Sequence, residues 1–245
     1  MCGIAGFSIS DKDHRHINCR LLAKNLALQI ERRGRDATGI AWSETTDDGL
    51  GVWYMKDALP ATEFVQYLDE MPKHTRTAII HTRYATKGSP QNNDNNHPIL
   101  VGDTVGIHNG SISNDDEIIE MVGTGRTGQV DTEAIFRLID SSDPAAPYEH
   151  LDLLKGTAAL AWFDRNDPAS LHLCRVCGSP LFLGTTAGGS KVFASLDYMI
   201  TSAARQSNIR IDKIKSLNEG LYLKIQHGKV VDLSGLNTHH KMAMA

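Results

Sequence analysis

Met1-Cys2-Gly3-Ile4-Ala5-Gly6-Phe7 opens the chain, and its second residue decides how the rest is read. Once Met1 is removed, Cys2 carries a thiol and a free α-amino group on one residue. The thiol has a reference pKa of about 8.5 and the amine about 7.7–8.0. A base poised near neutral pH then sits beside a nucleophile that needs deprotonating. The small cysteine side chain also suits methionine removal. Taken alone, the stretch equally fits a buried cysteine opening an apolar strand, since free cysteine is among the most buried residue types. The downstream sequence separates the two.

The chain has 245 residues, enough for one large domain or two small ones. Hydrophobic residues at 41% and charged residues at 22% fit a globular protein with a sizeable core. A formal net charge of −4 gives no electrostatic reason to expect nucleic acid or an acidic membrane as partner. No apolar run approaches the ~18–20 residues of a membrane span, and no charged-then-apolar leader precedes a cleavage site. The expected location is cytoplasmic. Four cysteines (Cys2, Cys19, Cys174 and Cys177) are too few for a disulfide framework in a reducing compartment. Cys174 and Cys177 form a lone CxxC in a strand-like segment, without a second pair for zinc and followed by Gly-Ser-Pro, so packing is expected of them.

Alternation predicts strands at 3–9 and 38–43, with a helix through Leu21, Leu22, Leu26 and Ile30 stopping at Arg32-Arg33-Gly34. A hairpin return strand at 51–56 and a short helix over 61–71 follow. Residues 77–82 read as an apolar strand that delivers Arg83 into a polar, amide-rich loop, 83–98. Loops of that length and polarity are usually lids or binding loops, and little in this one is expected to pack against its own domain. A strand at 105–109 is expected to meet Gly110 in a tight turn. Helices follow, one capped by Ser113 and another from Asp131. Strand-like runs then recur at 157–163, 171–176, 181–185, 191–195, 221–225 and 229–233, with a helix near 196–206 between them. With no linker or charge block, residues 1–236 read as one domain with two sheets and outer helices. Residues 237–245 read as a loose tail, in which His239 and His240 are expected to be solvated.

Four segments rich in groups that pair with an amino acid accompany the N-terminal CGIAGF: RRGRDATG (32–39), HTRYATKG (81–88), HNG (108–110) and DTE (131–133). Five motifs in this order resemble the class II glutamine amidotransferases, most closely the glutaminase domain of glucosamine-6-phosphate synthase. LCRVCGSPLFLG and FASLDYMI further on resemble that domain's second sheet and the helix after it. The resemblance implies an α+β fold, the four-layer αββα sandwich of the N-terminal-nucleophile hydrolases. It implies hydrolysis of the L-glutamine side-chain amide through a Cys2 γ-glutamyl thioester, with no metal and no cofactor. Asn109 (side chain) and Gly110 (backbone N–H) are the expected oxyanion donors. Arg83 offers a planar fork for the α-carboxylate and Asp131 an acceptor for the α-ammonium. Tyr84, Thr86 and His97 are expected to line the same pocket, and Arg33 to brace it.

Each of these has a plainer reading: a surface ion pair for Arg83, a helix N-cap for Asp131, a turn dipeptide for Asn109-Gly110. The sequence also departs from the glucosamine synthase type, with Tyr84 in place of Trp, Lys87 in place of His, and Arg35 in place of Tyr or Pro. Three functions stay open. The first is a glutaminase supplying ammonia to a separately encoded synthase, slow in isolation and activated when its partner docks on the loop face. The second is a γ-glutamyl amide hydrolase, and the third a non-catalytic glutamine-sensing module.

Overall fold

The computed structural model of the chain describes residues 1–47 and 49–236. In chain order the elements begin with β1 (Gly3–Ser8), α1 (Cys19–Ile30), β2 (Ala37–Thr46), β3 (Gly49–Asp57), α2 (Ala61–Phe64) and β4 (Thr77–Arg83). Next come β5 (Ile99–Val101), β6 (Thr104–Ile112), α3 (Asp115–Val122), α4 (Asp131–Asp140), β7 (Gly156–Asp164) and β8 (Asp167–Cys177). The remainder is β9 (Phe182–Thr185), β10 (Lys191–Ala194), α5 (Asp197–Gln206), β11 (Lys213–Ser216), β12 (Leu221–Gln226) and β13 (Lys229–Gly235). One sheet runs β11-β9-β10-β1-β4-β2-β3 and the other β13-β12-β8-β7-β6-β5. Every neighbouring pair is antiparallel.

Side chains alternate across a strand, so a strand buried on both faces feeds two apolar layers. In β1, Ala5 and Phe7 join Leu22, Leu26 and Ile30 of α1 and Met199 and Ala203 of α5, whereas Ile4 joins Ile107, Ala161 and Leu173 of the other sheet. β4 repeats the split: Ala78 and Ile80 face the helices and Ile79 faces the second sheet. On the second sheet's outer face, Leu160, Trp162 and Tyr222 pack against Ala134, Ile135 and Leu138 of α4. Three apolar layers therefore separate four structural layers, and the αββα expectation holds.

Local chemistry sets the helix ends. Asn18 caps α1 by accepting the Leu21 N–H at 3.1 Å, and Gly123, at φ 72°, closes α3. Three expectations need correction. The helix expected over 61–71 is broken into α2 and a 3₁₀ turn at Tyr67–Glu70, which together place Phe64, Leu68 and Met71 in the core beside α1. Ser113 is not the cap of α3. Asn114 occupies that position, and its side chain instead ties the loop to the Leu153 carbonyl and the Lys155 N–H. Gly110 does not turn the chain either, because β6 continues to Ile112 in unbroken pairing with β7, Gly110 opposite Ala158. Cys174 is fully buried in the layer under α4 with Cys177 half-buried beside it, both as free thiols. The expectations for 237–245, His239 and His240 among them, lie outside the described residues.

Candidate active site

Parity along the strands already places the key side chains. Cys2 precedes β1 in the register of Ile4, Arg83 ends β4 in the register of Ile79, and Asn109 follows Ile107 on β6. All three belong to the series that faces the space between the sheets. β1 and β6 pack across that space, and His81 Nε2 lies 3.1 Å from the His108 carbonyl oxygen, joining the two sheets one step below the site.

Cys2 is half-buried, and its Sγ lies 3.7 Å from the Tyr84 carbonyl oxygen. Burial pushes the thiol above its ordinary pKa, with the chain's amino terminus and the Arg83 guanidinium pulling down and Asp131 pushing up. A base is therefore required to ionise it near neutrality. Arg33 Nε donates to the Cys2 carbonyl at 2.7 Å. Gly34 lies so close to the Arg83–Tyr84 backbone that a Cβ would collide with it. Asp36 receives the Ala85 N–H at 2.7 Å and donates its own N–H to the Arg83 carbonyl at 2.9 Å. The 33–36 segment thus forms a floor under the turn that leaves β4.

Asn109 is 1% exposed, and among the described residues its side-chain Nδ2 has no hydrogen-bond partner. Such a group costs about 1–3 kcal/mol of desolvation, which makes each instance in a native structure informative. Gly110 sits at φ 150°, where a Cβ would collide with the Thr157 carbonyl oxygen and lie 2.7 Å from His108 Nε2. Only glycine fits there. Asp131 opens α4 but does not cap it; its Oδ2 accepts the Ile112 N–H at 2.8 Å, tying the helix to the end of β6.

Arg83 is oriented differently from the sequence expectation. Its guanidinium, 3% exposed as a residue, donates through Nη2 to the carbonyls of Lys87 (2.6 Å) and Gly88 (2.8 Å) and through Nη1 to Asn96 Oδ1 (2.9 Å). Both planar forks of an arginine use an Nη2 hydrogen, so in this conformation the loop's own carbonyls fill the place expected for a carboxylate. The loop is also not the loosely attached segment expected. Asn95 and Asn96 are fully buried, and they bond to Ser89, Gln129, Pro90 and Asn93, while Lys56 Nζ donates to the Asn96 and Pro98 carbonyls. A side-chain amide carries donors and an acceptor, so a run of them can satisfy itself. Lys87 Nζ pairs with Asp115 Oδ2 at 2.5 Å and Arg126 joins it at 2.7 Å. Despite the burial of Asp115, these cations hold its carboxyl below its ordinary pKa. Tyr84 and Thr86 remain exposed.

His97 is buried, only 5% exposed. It stacks on His81 with ring centroids 3.9 Å apart, and its Nε2 lies 3.0 Å from Thr132 Oγ1. Thr132 was not singled out from the sequence; its place between Asp131 and Glu133 of the DTE run was the available signal. Glu133 accepts the Thr127 and Gly128 N–H groups and holds Arg137 at 2.6 Å.

Burial lowers the imidazole pKa of His81 to about 3, that of His97 well below its ordinary value, and that of His108 likewise downward. His172, packed against Trp162, is also lowered to about 3 by burial. A folded value below the unfolded ~6.5 means that the unfolded chain binds the proton first as pH falls. Stability from this source is complete above about pH 6.5 and declines toward pH 3, by up to about 1.4 kcal/mol per pH unit for a single such group. The urea midpoint is expected to drop steadily between pH 6.5 and 4.5. A flat profile over that range would show that these imidazoles are not held neutral.

Among the described residues no group of three or more His, Cys, Asp or Glu side chains is placed to hold a metal ion, and no helix is long and apolar enough to cross a membrane.

Comparison with known proteins bears on the family and the fold. Residues 81–202 match a family described as "Glutamine amidotransferase domain". The glutamine–fructose-6-phosphate aminotransferase (isomerizing) of Caulobacter vibrioides is 32% identical over 250 residues, covering 96% of this chain and 37% of that protein. The protein of the same description from Vibrio cholerae is 31% identical over 197 residues, 77% of this chain and 30% of that one. The chain thus spans about a third of the length of these relatives. Among solved structures, glutamine phosphoribosylpyrophosphate amidotransferase from B. subtilis superposes with a TM-score of 0.75 at 20% identity, over 96% of this chain and 49% of that one. A glutamine aminotransferase class-II domain protein from Silicibacter pomeroyi gives 0.57 at 15% identity, over 96% and 99%. At those identities the structures speak for the fold, and the sequence relatives for the family. The chain carries a class II glutamine amidotransferase domain on the N-terminal-nucleophile fold, similar to the glutaminase domain of glucosamine-6-phosphate synthase.

Proposed function

We propose that this chain hydrolyses the side-chain amide of L-glutamine through a γ-glutamyl thioester on Cys2 and hands the ammonia to a separately encoded synthase. The observation that carries the reading is the Asn109 side-chain amide, buried with an N–H unpartnered among the described residues and facing the same inter-sheet space as Cys2. A donor that is unsatisfied in the ground state is suited to an oxygen that becomes negative only in the transition state.

In this reading the α-amine of Cys2 takes the thiol proton as Sγ attacks the amide carbon. The tetrahedral oxyanion is held by Asn109 Nδ2–H and the Gly110 N–H, and collapse expels ammonia as the amine returns the proton to nitrogen. Water, deprotonated by the same amine, then cleaves the thioester to glutamate and the free thiol. Asp131 receives the substrate ammonium through its second carboxylate oxygen. Arg83 receives the carboxylate after the Lys87–Gly88 peptide turns away from Nη2, and Tyr84 and Thr86, exposed on the same turn, complete that end. Arg33 holds the Cys2 carbonyl, and with it the nucleophile. His97 supports the pocket from behind.

Ammonia and glutamate should appear in equal amounts from free glutamine, made by a protein whose intact mass lacks Met1. A preparation that keeps Met1 should be inert, and full activity with Met1 retained would sink the amine-as-base reading. Turnover of a bulky γ-glutamyl anilide in preference to glutamine would replace it with a γ-glutamyl hydrolase, and no turnover of either with a sensing module. Co-purification of a synthase from the native source tests the partner, and a native polypeptide that itself carries a synthase would overturn its separateness.

A further inference from the structure

The first two residues of α4 grip β6 on either side of Asn109-Gly110: Asp131 through the Ile112 N–H at 2.8 Å, and Thr132 through His108 Nδ1 at 3.0 Å. The direction of every proton in the second grip can be assigned. Carbonyl oxygens only accept. His108 Nε2 lies 3.2 Å from the Thr157 carbonyl and His81 Nε2 3.1 Å from the His108 carbonyl, so both rings carry their proton on Nε2. With both rings neutral, His108 Nδ1 is a bare acceptor, and the Thr132 hydroxyl must give it its one proton. The same hydroxyl oxygen can then only accept from His97 Nε2, 3.0 Å away, which fixes His97 as the Nε2–H tautomer too. Two observations not used in this chain agree with it. The Nδ1 atoms of His81 and His97 are buried with no partner among the described residues, which suits bare nitrogens and not N–H groups. All three histidines and Thr132 are at most 5% exposed, so the line lies out of reach of bulk solvent.

A single one-way line of hydrogen bonds therefore runs from His97 through Thr132 and His108 to the Thr157 carbonyl, the atom against which the backbone of Gly110 is pressed. We propose that Thr132 is a positioning residue for glutamine hydrolysis: its hydroxyl fixes His108 and, through it, the strand segment that presents the Asn109 amide and the Gly110 N–H to the oxyanion. The proposal rests on the function proposed above. Misplacement of a reacting partner by about 1 Å costs on the order of 10²-fold in rate, so the effect should fall on kcat.

The test compares Thr132→Val, which keeps the shape and loses the hydroxyl, with Thr132→Ser, which keeps the hydroxyl. In the full chain, Thr132→Val should lower kcat for glutamine by about 10–100-fold, with KM changed less than about threefold. Thr132→Ser should recover kcat to within about threefold of wild type. A valine variant with wild-type kcat, a loss confined to KM, or a serine variant as poor as valine would overturn the proposal. Imidazole nitrogen NMR supplies a readout that does not depend on turnover and needs only the wild-type and serine proteins: His81, His97 and His108 should all be neutral Nε2–H tautomers in both. An Nδ1–H tautomer at His108, or a charged ring among the three at pH 7, would also overturn it. If wild-type protein does not turn over glutamine at all, the glutaminase reading itself falls, and the tautomers alone then decide whether Thr132 is wired as described.

Discussion

Cys2→Ala is expected to release ammonia from glutamine at least about 10⁴-fold more slowly than wild type while keeping its fold. Loss of a covalent nucleophile removes the intermediate altogether, and in other hydrolases such losses reach about 10⁶-fold. Nothing in the packing opposes the change. Cys2 precedes β1, is half-buried and outside all three apolar layers, and among the described residues its Sγ makes one long hydrogen bond, 3.7 Å to the Tyr84 carbonyl. Replacement of such a side chain should change stability by roughly 0.5–1 kcal/mol or less. The measurement is ammonia release with the thermal midpoint recorded in parallel. Residual activity above about 1% would place the nucleophile elsewhere. Cys19, Cys174 and Cys177 offer poor replacements: Cys19 is buried with its thiol raised to about 12, Cys174 is fully buried and raised further, and Cys177 lies under α4.

The features legible in the sequence are those in which one local rule met one partner. The apolar alternation of Ile4, Ala5 and Phe7 predicted β1, and helical spacing up to Ile30 predicted α1, because each buries that pattern against a whole neighbouring layer. Asn109-Gly110 misled because the dipeptide favours a turn when nothing else competes. Here β7 supplies nine consecutive partners, and the ladder carries the chain straight through at φ 150°. β5 and β11, at three and four residues, have too little alternation to be read, and β11 also depends on β9, a strand distant in sequence. Polarity alone suggests a lid, whereas in this amide-rich loop it is what lets Asn95 and Asn96 be buried with most of their partners in the loop itself. For Arg83 and His97 the sequence suggested roles but not what they touch, since spacing does not say that loop carbonyls meet a guanidinium or that two imidazoles stack. Thr132 was illegible for the same reason, because its two partners come from the loop and from β6.

Asn109 and Arg83 should separate in both kinetics and stability. Arg83→Lys loses the Nη2 donors that hold Lys87 and Gly88 as well as the fork proposed for the carboxylate. KM for glutamine should then rise by tenfold or more, and the loop should loosen, seen as faster amide exchange at 87–96. Asn109→Ala should lower kcat by about 10²–10³-fold, equivalent to about 2.7–4 kcal/mol of transition-state stabilisation, with KM within about threefold. Its stability effect should be small for a specific reason. Truncating a buried, bonded amide leaves its partner unsatisfied, but Nδ2 has no partner among the described residues to leave. Removing it relieves a desolvation penalty of about 1–3 kcal/mol and opens a small cavity of comparable cost. The two should nearly cancel, so activity is lost while the thermal midpoint stays within a few degrees. A large fall in the midpoint together with modest kinetic loss would mean that Asn109 holds the sheet and not the oxyanion. Matching kinetic signatures for Asn109→Ala and Arg83→Lys would mean that the two residues do not divide transition-state and ground-state binding between them.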